Sequence, residues 1–578
     1  MSGWRQAATR DGRFADAGAT GPPTRRTRRD ELEVWSNVSD GSLETLLIGI
    51  DAGCLPVFDR LADDDLIPNI ESITEDGVAA PLESQVPPWT PSAWPSLYTG
   101  VNPGKHGAFG FIDFDGYDWE VVSADHVREH SLWSLLDRHG ISSVVVNVPV
   151  TAPPDEIDGA VVPGFVGPED PPCHPDGVLE DVRDAIGEYR VYPDYTRGCT
   201  EIGDAEKMAE YRRLVRMRGR AFRYLVDRFD PEFGFVEFQK TDTVFHEFDG
   251  DEAKVADVYE TTDAEIGKIL EAHDPETVIL ASDHGMGPYE KPEFRVNEFL
   301  RDRGYVKTTN GGRGMPSWNP IRRDLRDGDR RRSWEPGVVE RMAAAAAKVG
   351  LTANRVGSGL RRVGLEEIAK QYAPGGVVRT ANEQVDFENS IAYMRARTEL
   401  GVRLNVAGRE PNGVVPPDDY ERIRATLIDA LAGVTTPDGD PVFETVAPRE
   451  EHFSGPYAED AVDVVTIPTD FDHFLSAQLV GERFGEPTEP WNHKRDGVFA
   501  AAGAGVDADA AVGHPHLFDV APTVLATFGI PYSDRMDGSP VPVVDDPGTT
   551  SYPPYDADAT RATADDAVEG RLSDLGYL

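Results

Sequence analysis

The chain has 578 residues, 39% of them hydrophobic, enough for about two to four domains of ordinary size and a sizeable core. Its 102 acidic residues against 57 lysines and arginines give a formal net charge of −45; such a surface repels nucleic acid and anionic membranes and argues against a nucleic-acid groove. Three cysteines without paired spacing (Cys54, Cys173, Cys199) and no apolar run near the ~18 residues of a membrane span leave no disulfide framework, thiolate zinc site or transmembrane segment to expect.

Residues 1–40 are rich in Gly, Ala, Arg and Asp without periodicity, and a disordered tail is expected there. The basic run at 25–29 is followed by DELEVWSNVSDG and not by an apolar leader, so a cytoplasmic protein is expected. Dispersed acid with few lysines also has the look of a halophile-like chain from a high-salt cytoplasm. TLLIGID (45–51) reads as a buried strand that ends on Asp51. In PPWTPSAWPSLYTGVNPGKHG (87–107), Thr90 reads as the cap of a helix with proline at its first position. Such a helix start offers free N–H groups and the positive end of the dipole to a phosphate. Trp89 and Trp94 flank Thr90, as core residues or as a stacking surface for substrate.

SSVVVNVPV (142–150) is a further strand, and residues 205–229 carry a helical pattern. FGFVEFQKTD (233–242) is a strand that runs into Asp242, with His246 four residues later. TVILASDHG (277–285) is an apolar strand that turns abruptly to Asp283 and His284. The stretch from about 301 to 385 is basic and helical in an otherwise acidic chain: a solvated insertion, a lid, or a face for an anionic surface. Residues 386–445 look like a small α+β cap, in which Arg395, Arg397 and Arg409 are either surface residues or a grip on a second anionic group. Strands follow at 462–468 and 497–503, then a helix at 517–529. Apolar strands alternating with helices predict an α/β fold: a three-layer, doubly wound, mostly parallel sheet.

Ligands of open α/β sheets gather at the carboxyl ends of the strands. A lone aspartate there is commonly a turn former or a helix cap. Asp283 and His284 directly after a buried run are more specific, because both need partners at an apolar boundary. Three strand ends carrying carboxylate and imidazole suit zinc or a similar divalent ion.

Together these motifs resemble the alkaline phosphatase superfamily, in its type I phosphodiesterase/nucleotide pyrophosphatase branch. The residues that carry the resemblance are the strand-end Asp51, Thr90 ten residues before Gly100 of TGVNPGKHG, Asp242 and His246 as D-x-x-x-H, Asp283–His284–Gly285, and a late His493 before GVFAAAG. It extends from Asp51 to about Gly538 and is loosest over 301–440. It implies an alkaline phosphatase-like core at 41–300 and 441–545, an inserted helical and α+β cap at 301–440, and a tail at 546–578. It implies two divalent metal ions, zinc first and manganese second. Asp242, His246 and His493 would hold one; Asp51, Asp283, His284 and the Thr90 oxygen would hold the other. His514 and His516 compete with His493 for its role. Thr90 would be the nucleophile, phosphorylated in passing, with a small phosphate ester or diester as substrate and no nucleic-acid groove or membrane span. Lys105 and Trp94 are candidate substrate contacts, and the basic 320–370 region a candidate anionic-surface contact.

One position departs from the pattern. Phe111 stands where the nucleotide pyrophosphatases place an asparagine that donates to a phosphate oxygen. Lys105, or backbone N–H groups near Pro91 and Ser92, are the expected substitutes. The alternative activity is a metal-dependent phosphomutase on the same scaffold. A sulfatase would need a C-x-P-x-R frame, which Cys54 in CLPVF lacks. A metal-binding protein without catalysis is the remaining contrast.

Overall fold

The first apolar run forms a strand buried at all six positions, Thr45–Ile50 (β1). Its side chains alternate between two cores, as the period of two requires. Leu46, Ile48 and Ile50 pack on one face, and Leu47 packs on the other. In the computed structural model the described residues are 43–194, 202–310 and 383–556. The expected tail at 1–40, the basic 320–370 region, Cys199 and residues 557–578 lie outside them.

Six further strands complete the central sheet: Val78–Glu83 (β2), Ser143–Val146 (β3), Gly159–Val162 (β4), Phe233–Phe238 (β5), Thr277–Ala281 (β6) and Asp496–Gly503 (β7). Their order is β2-β7-β6-β1-β5-β3-β4. Pairings among β6, β1, β5, β3 and β4 are parallel. Only β7 runs the other way, antiparallel to both β6 and β2. The sheet is therefore mixed but mostly parallel, with helices on both faces. Thr90–Thr99 (α1) and Val520–Thr527 (α5) cover the Leu47 side. Asp204–Phe229 (α2), Lys240–Phe248 (α3) and Glu252–His273 (α4) cover the other. Gly49 of β1 is required by the first of these contacts: a Cβ there would lie 2.6 Å from the Trp94 ring. No helix among the described residues is long and apolar enough to cross a membrane.

One expected strand joins a different sheet. Residues 464–468 pair antiparallel with 401–404 and 443–448 in a separate four-stranded sheet, with the Tyr420–Ala432 helix beside it. An apolar run reports burial on both faces but not which sheet buries it. This sheet shares a third core with Phe294, Leu427 and Trp89. Inside it Asp463, fully buried, accepts from Arg409 through both oxygens at 2.7 Å, and from Arg449, Tyr420 and the Leu404 N–H. Burial pushes its carboxyl up, but these donors outweigh that and hold it at about 2.

Candidate metal centre

The register of the parallel strands brings the acids together. Ile50 pairs with Phe238, and Gly49 pairs with Ala281, so Asp51, the turn after β5 and Asp283 share one edge of the sheet. α3 starts two residues past β5, and places Asp242 in its first turn and His246 one turn later. That i,i+4 spacing puts both on one face, with Nε2 and Oδ1 3.1 Å apart. Because β7 is antiparallel, its start lies at the same edge. The short strand before it, Trp491–Lys494, pairs with Gly285–Pro288 and sets His493 opposite Met286.

Thr90 arrives through β2, which ends at Glu83 opposite Asp496. The helix cap is Trp89, not Thr90; Thr90 is the first helical residue. The difference is chemical. A capping hydroxyl would be spent on a backbone N–H. The Thr90 hydroxyl instead lies 3.4 Å from His284 Nε2.

Two clusters result: Asp242 with His246 and His493, and Asp51 with Asp283 and His284. They adjoin, because the His284 and His493 rings stack with centroids 3.5 Å apart. His284 Nε2 lies 3.5 Å from Asp51 Oδ1 and 3.2 Å from Asp283 Oδ2. His493 Nε2 lies 3.4 Å from Asp242 Oδ1 and 3.0 Å from His246 Nε2.

Three features fit a cation. Both oxygens of Asp51, Oδ1 of Asp242 and Oδ2 of Asp283 are buried without a hydrogen-bond partner, a state worth several kcal/mol of penalty for an ionised group. Next, His493 Nδ1 faces the Pro88 carbonyl at 2.7 Å, and His284 Nδ1 faces the Gly285 carbonyl at 3.0 Å. A carbonyl only accepts, so each Nδ1 carries the proton and each Nε2 presents a lone pair to the cluster. Finally, His246 and His493 bring two Nε2 atoms to 3.0 Å, which needs a proton or a cation between them.

The charge balance agrees. Burial first, then Asp283 and Asp242, pushes the Asp51 carboxyl well above its usual range. Asp283 moves the same way through burial and Asp242. Burial also raises Asp242, but His246 outweighs it and holds the group well below the usual range. Burial and His493 drive His284 well down, leaving a neutral imidazole. Dications reverse the cost of crowding these acids, since they are the largest local charges in such a site.

A third cluster, Asp113, Glu120 and His126, has a different logic. The Ser123 N–H donates to His126 Nδ1 at 3.1 Å, so the ring proton sits on Nε2. There it faces Glu120 at 3.2 Å as a hydrogen-bond donor, and offers no lone pair to a metal.

Other candidates fall elsewhere. Trp94 is fully buried against Phe235, so no substrate ring reaches it; its indole N–H favours the Asp51 carboxylate without closing a hydrogen bond. Lys105 is held by Asp537 at 2.5 Å and by the Arg535 carbonyl. The Ser92 N–H is taken by the Trp89 carbonyl. Phe111 packs edge-on against Phe165 and presents no donor. His514 pairs with Asp496, and His516 accepts from the Phe518 N–H, so neither joins the cluster as His493 does. Arg395 is paired to Glu399, and Arg409 to Asp463 and Glu410. His106 braces its turn, with Nε2 2.9 Å from Ser96 Oγ.

Sequence reasoning missed Glu237. It lies on β5 beside Gly49, fully buried, and accepts from Asn147 at 2.6 Å through Oε2 while Oε1 has no hydrogen-bond partner. Burial and Asp283 push its carboxyl well up. The signal was present: one acid inside the apolar run FGFVEF needs a reason to be there.

Residues 45–477 match the family model described as type I phosphodiesterase / nucleotide pyrophosphatase. No curated protein matches the chain. Among solved structures it is similar to the phosphonoacetate hydrolase of Sinorhizobium meliloti 1021 in complex with phosphonoformate: 15% identity, 83% of this chain and 94% of that one, TM-score 0.47. It is also similar to a mutant of the alkaline phosphatase PafA: 13% identity, 88% of this chain and 100% of that one, TM-score 0.49.

Proposed function

The chain belongs to the type I phosphodiesterase/nucleotide pyrophosphatase family, and from that premise we propose a two-metal phosphohydrolase that works through a phosphothreonine on Thr90. Membership makes it a metal-dependent phosphoric ester hydrolase. Asp242, His246 and His493 would hold one ion, and Asp51, Asp283, His284 and Thr90 the other, zinc being the best fit to the mixed imidazole–carboxylate set and manganese the next. Bound ions would supply charge, lowering the pKa of a hydroxyl and neutralising phosphoryl oxygens.

The chain's own residues do the rest. The first turn of α1 aims the Thr90 hydroxyl at the junction of the two clusters, with the positive end of the helix dipole behind it. Thr90 Oγ attacks phosphorus in line as the ester oxygen leaves on the His246–His493 side. Water then cleaves the bond between Thr90 and phosphorus and restores the hydroxyl. The Pro88 and Gly285 carbonyls keep both Nε2 lone pairs aimed inward throughout. The observation that carries this reading is the set of buried, partnerless carboxylate oxygens facing two lone-pair imidazoles beside a hydroxyl. The lack of a donor at Phe111 argues against nucleotide diesters as the preferred substrate.

Turnover of bis-p-nitrophenyl phosphate, a phosphomonoester and a nucleotide sugar, with zinc or manganese at high salt, tests the proposal. Metal-dependent release of p-nitrophenol is expected. In labelled water the label enters the phosphate product, whereas a mutase would leave it unlabelled. Protein that holds metal and turns over none of the three contradicts the proposal.

A further inference from the structure

Two of the three imidazoles at the clusters are fixed from behind by backbone carbonyls. His246 is not. Its Nδ1 faces Glu489 Oε2 at 3.8 Å, and its side chain is 24% exposed, against 5% for His493. Glu489 stands just before the strand that carries His493, and the Asn492 side-chain amide donates to the same Oε2 at 2.8 Å. The other carboxylate oxygen takes the guanidinium of Arg397, which reaches across from a 3-10 turn at Arg397–Glu399 and lies over the Phe474 ring at 5.1 Å. Glu489 thus joins three parts of the chain: the four-stranded-sheet region through Arg397, the His493 strand through Asn492, and α3 through His246.

We propose that Glu489 is the positioning carboxylate of His246, and that Arg397 holds Glu489 in place for that role. The inference rests on the metal-binding reading above. Imidazoles that ligate metals donate their second N–H to a carboxylate, a carbonyl or water, which fixes the ring and strengthens the donor nitrogen. Pro88 and Gly285 serve His493 and His284 in this way, and Glu489 is the group set to serve His246. A small side-chain rotation closes 3.8 Å to a hydrogen bond. Arg397 and Asn492 limit Glu489 to that neighbourhood.

Cobalt affinity tests this in full-length protein: competition with a chromophoric chelator, cobalt absorption for site symmetry, and far-UV circular dichroism for folding. Wild type is expected to take up two ions. Glu489→Ala should weaken one of them by about 10- to 100-fold and leave the other unchanged. Glu489→Gln, which keeps shape and an acceptor oxygen, should fall between, and Arg397→Ala should weaken the same ion with recovery in Arg397→Lys. A Glu489→Ala protein that binds both ions as wild type does, or that loses both equally, overturns this proposal alone. Wild type that takes up no cobalt overturns the two-metal reading, and this one with it.

Discussion

Thr90→Ala, saturated with metal, is expected to lower kcat for bis-p-nitrophenyl phosphate at least a thousandfold, with its unfolding midpoint near wild type. The size follows from the proposed role: removing the proposed nucleophile would remove the covalent route and leave metal-assisted attack by water. The protein should tolerate the change, because the Thr90 hydroxyl caps no helix and its hydrogen-bond-range partner is His284 Nε2 at 3.4 Å. Thr90→Ser keeps the oxygen and should stay within about tenfold of wild type, since it changes only rotamer freedom at one position. Acid-quenched wild type should carry a p-nitrophenyl phosphoryl group on the peptide containing Thr90, and Thr90→Ala should carry none. An alanine protein that retains turnover would mean that water attacks directly and that Thr90 only lines the pocket.

The second large effect is a reversal of stability order. Asp51, Asp242 and Asp283 crowd within one buried pocket, and Asp51 has no hydrogen-bond partner on either oxygen. Without a cation that arrangement is costly; with one it is a binding site. Dialysis against chelator should therefore abolish turnover and lower the thermal midpoint, and zinc should restore both. Asp51→Asn removes one buried charge with little change of shape. In metal-free protein it should melt higher than metal-free wild type. In metal-loaded protein the order should reverse, and turnover should fall at least about a hundredfold, since one inner ligand has lost its charge. Differential scanning calorimetry of both proteins, each loaded and stripped, reads the whole pattern. If Asp51→Asn destabilises both forms equally, the site is an ordinary structural hydrogen-bond cluster.

How far the sequence reveals this molecule depends on the range of the forces involved. Asp283 and His284 stand out because an apolar strand that ends on a carboxylate and an imidazole side by side needs partners for both, and that signal is local; Asp51, a lone strand-end aspartate, reads as an ordinary turn former until the other motifs are set beside it. The i,i+4 spacing of Asp242 and His246 is local too. Thr90 and His493 are legible only through the ordered motif as a whole, since neither residue is unusual by itself. The strand at 464–468 could be recognised as a strand but not assigned to its sheet, because its partners at 401–404 and 443–448 are set by tertiary pairing. Lys105 looked free for substrate, yet Asp537, more than four hundred positions away, holds it. Trp94 could be read as core or as a stacking surface, and Gly49 shows why it is core: the missing Cβ admits the indole there. The Pro88 and Gly285 carbonyls that orient the imidazoles leave no mark in a sequence, because every residue has a carbonyl.

The most direct measurement is diffraction from crystals grown with zinc, with data collected on both sides of the zinc absorption edge. Two anomalous peaks are expected, one among Asp242, His246 and His493, the other among Asp51, Asp283, His284 and the Thr90 oxygen. A map with no peak at either cluster, or with its only peak beside Asp113, Glu120 and His126, would contradict the two-metal centre.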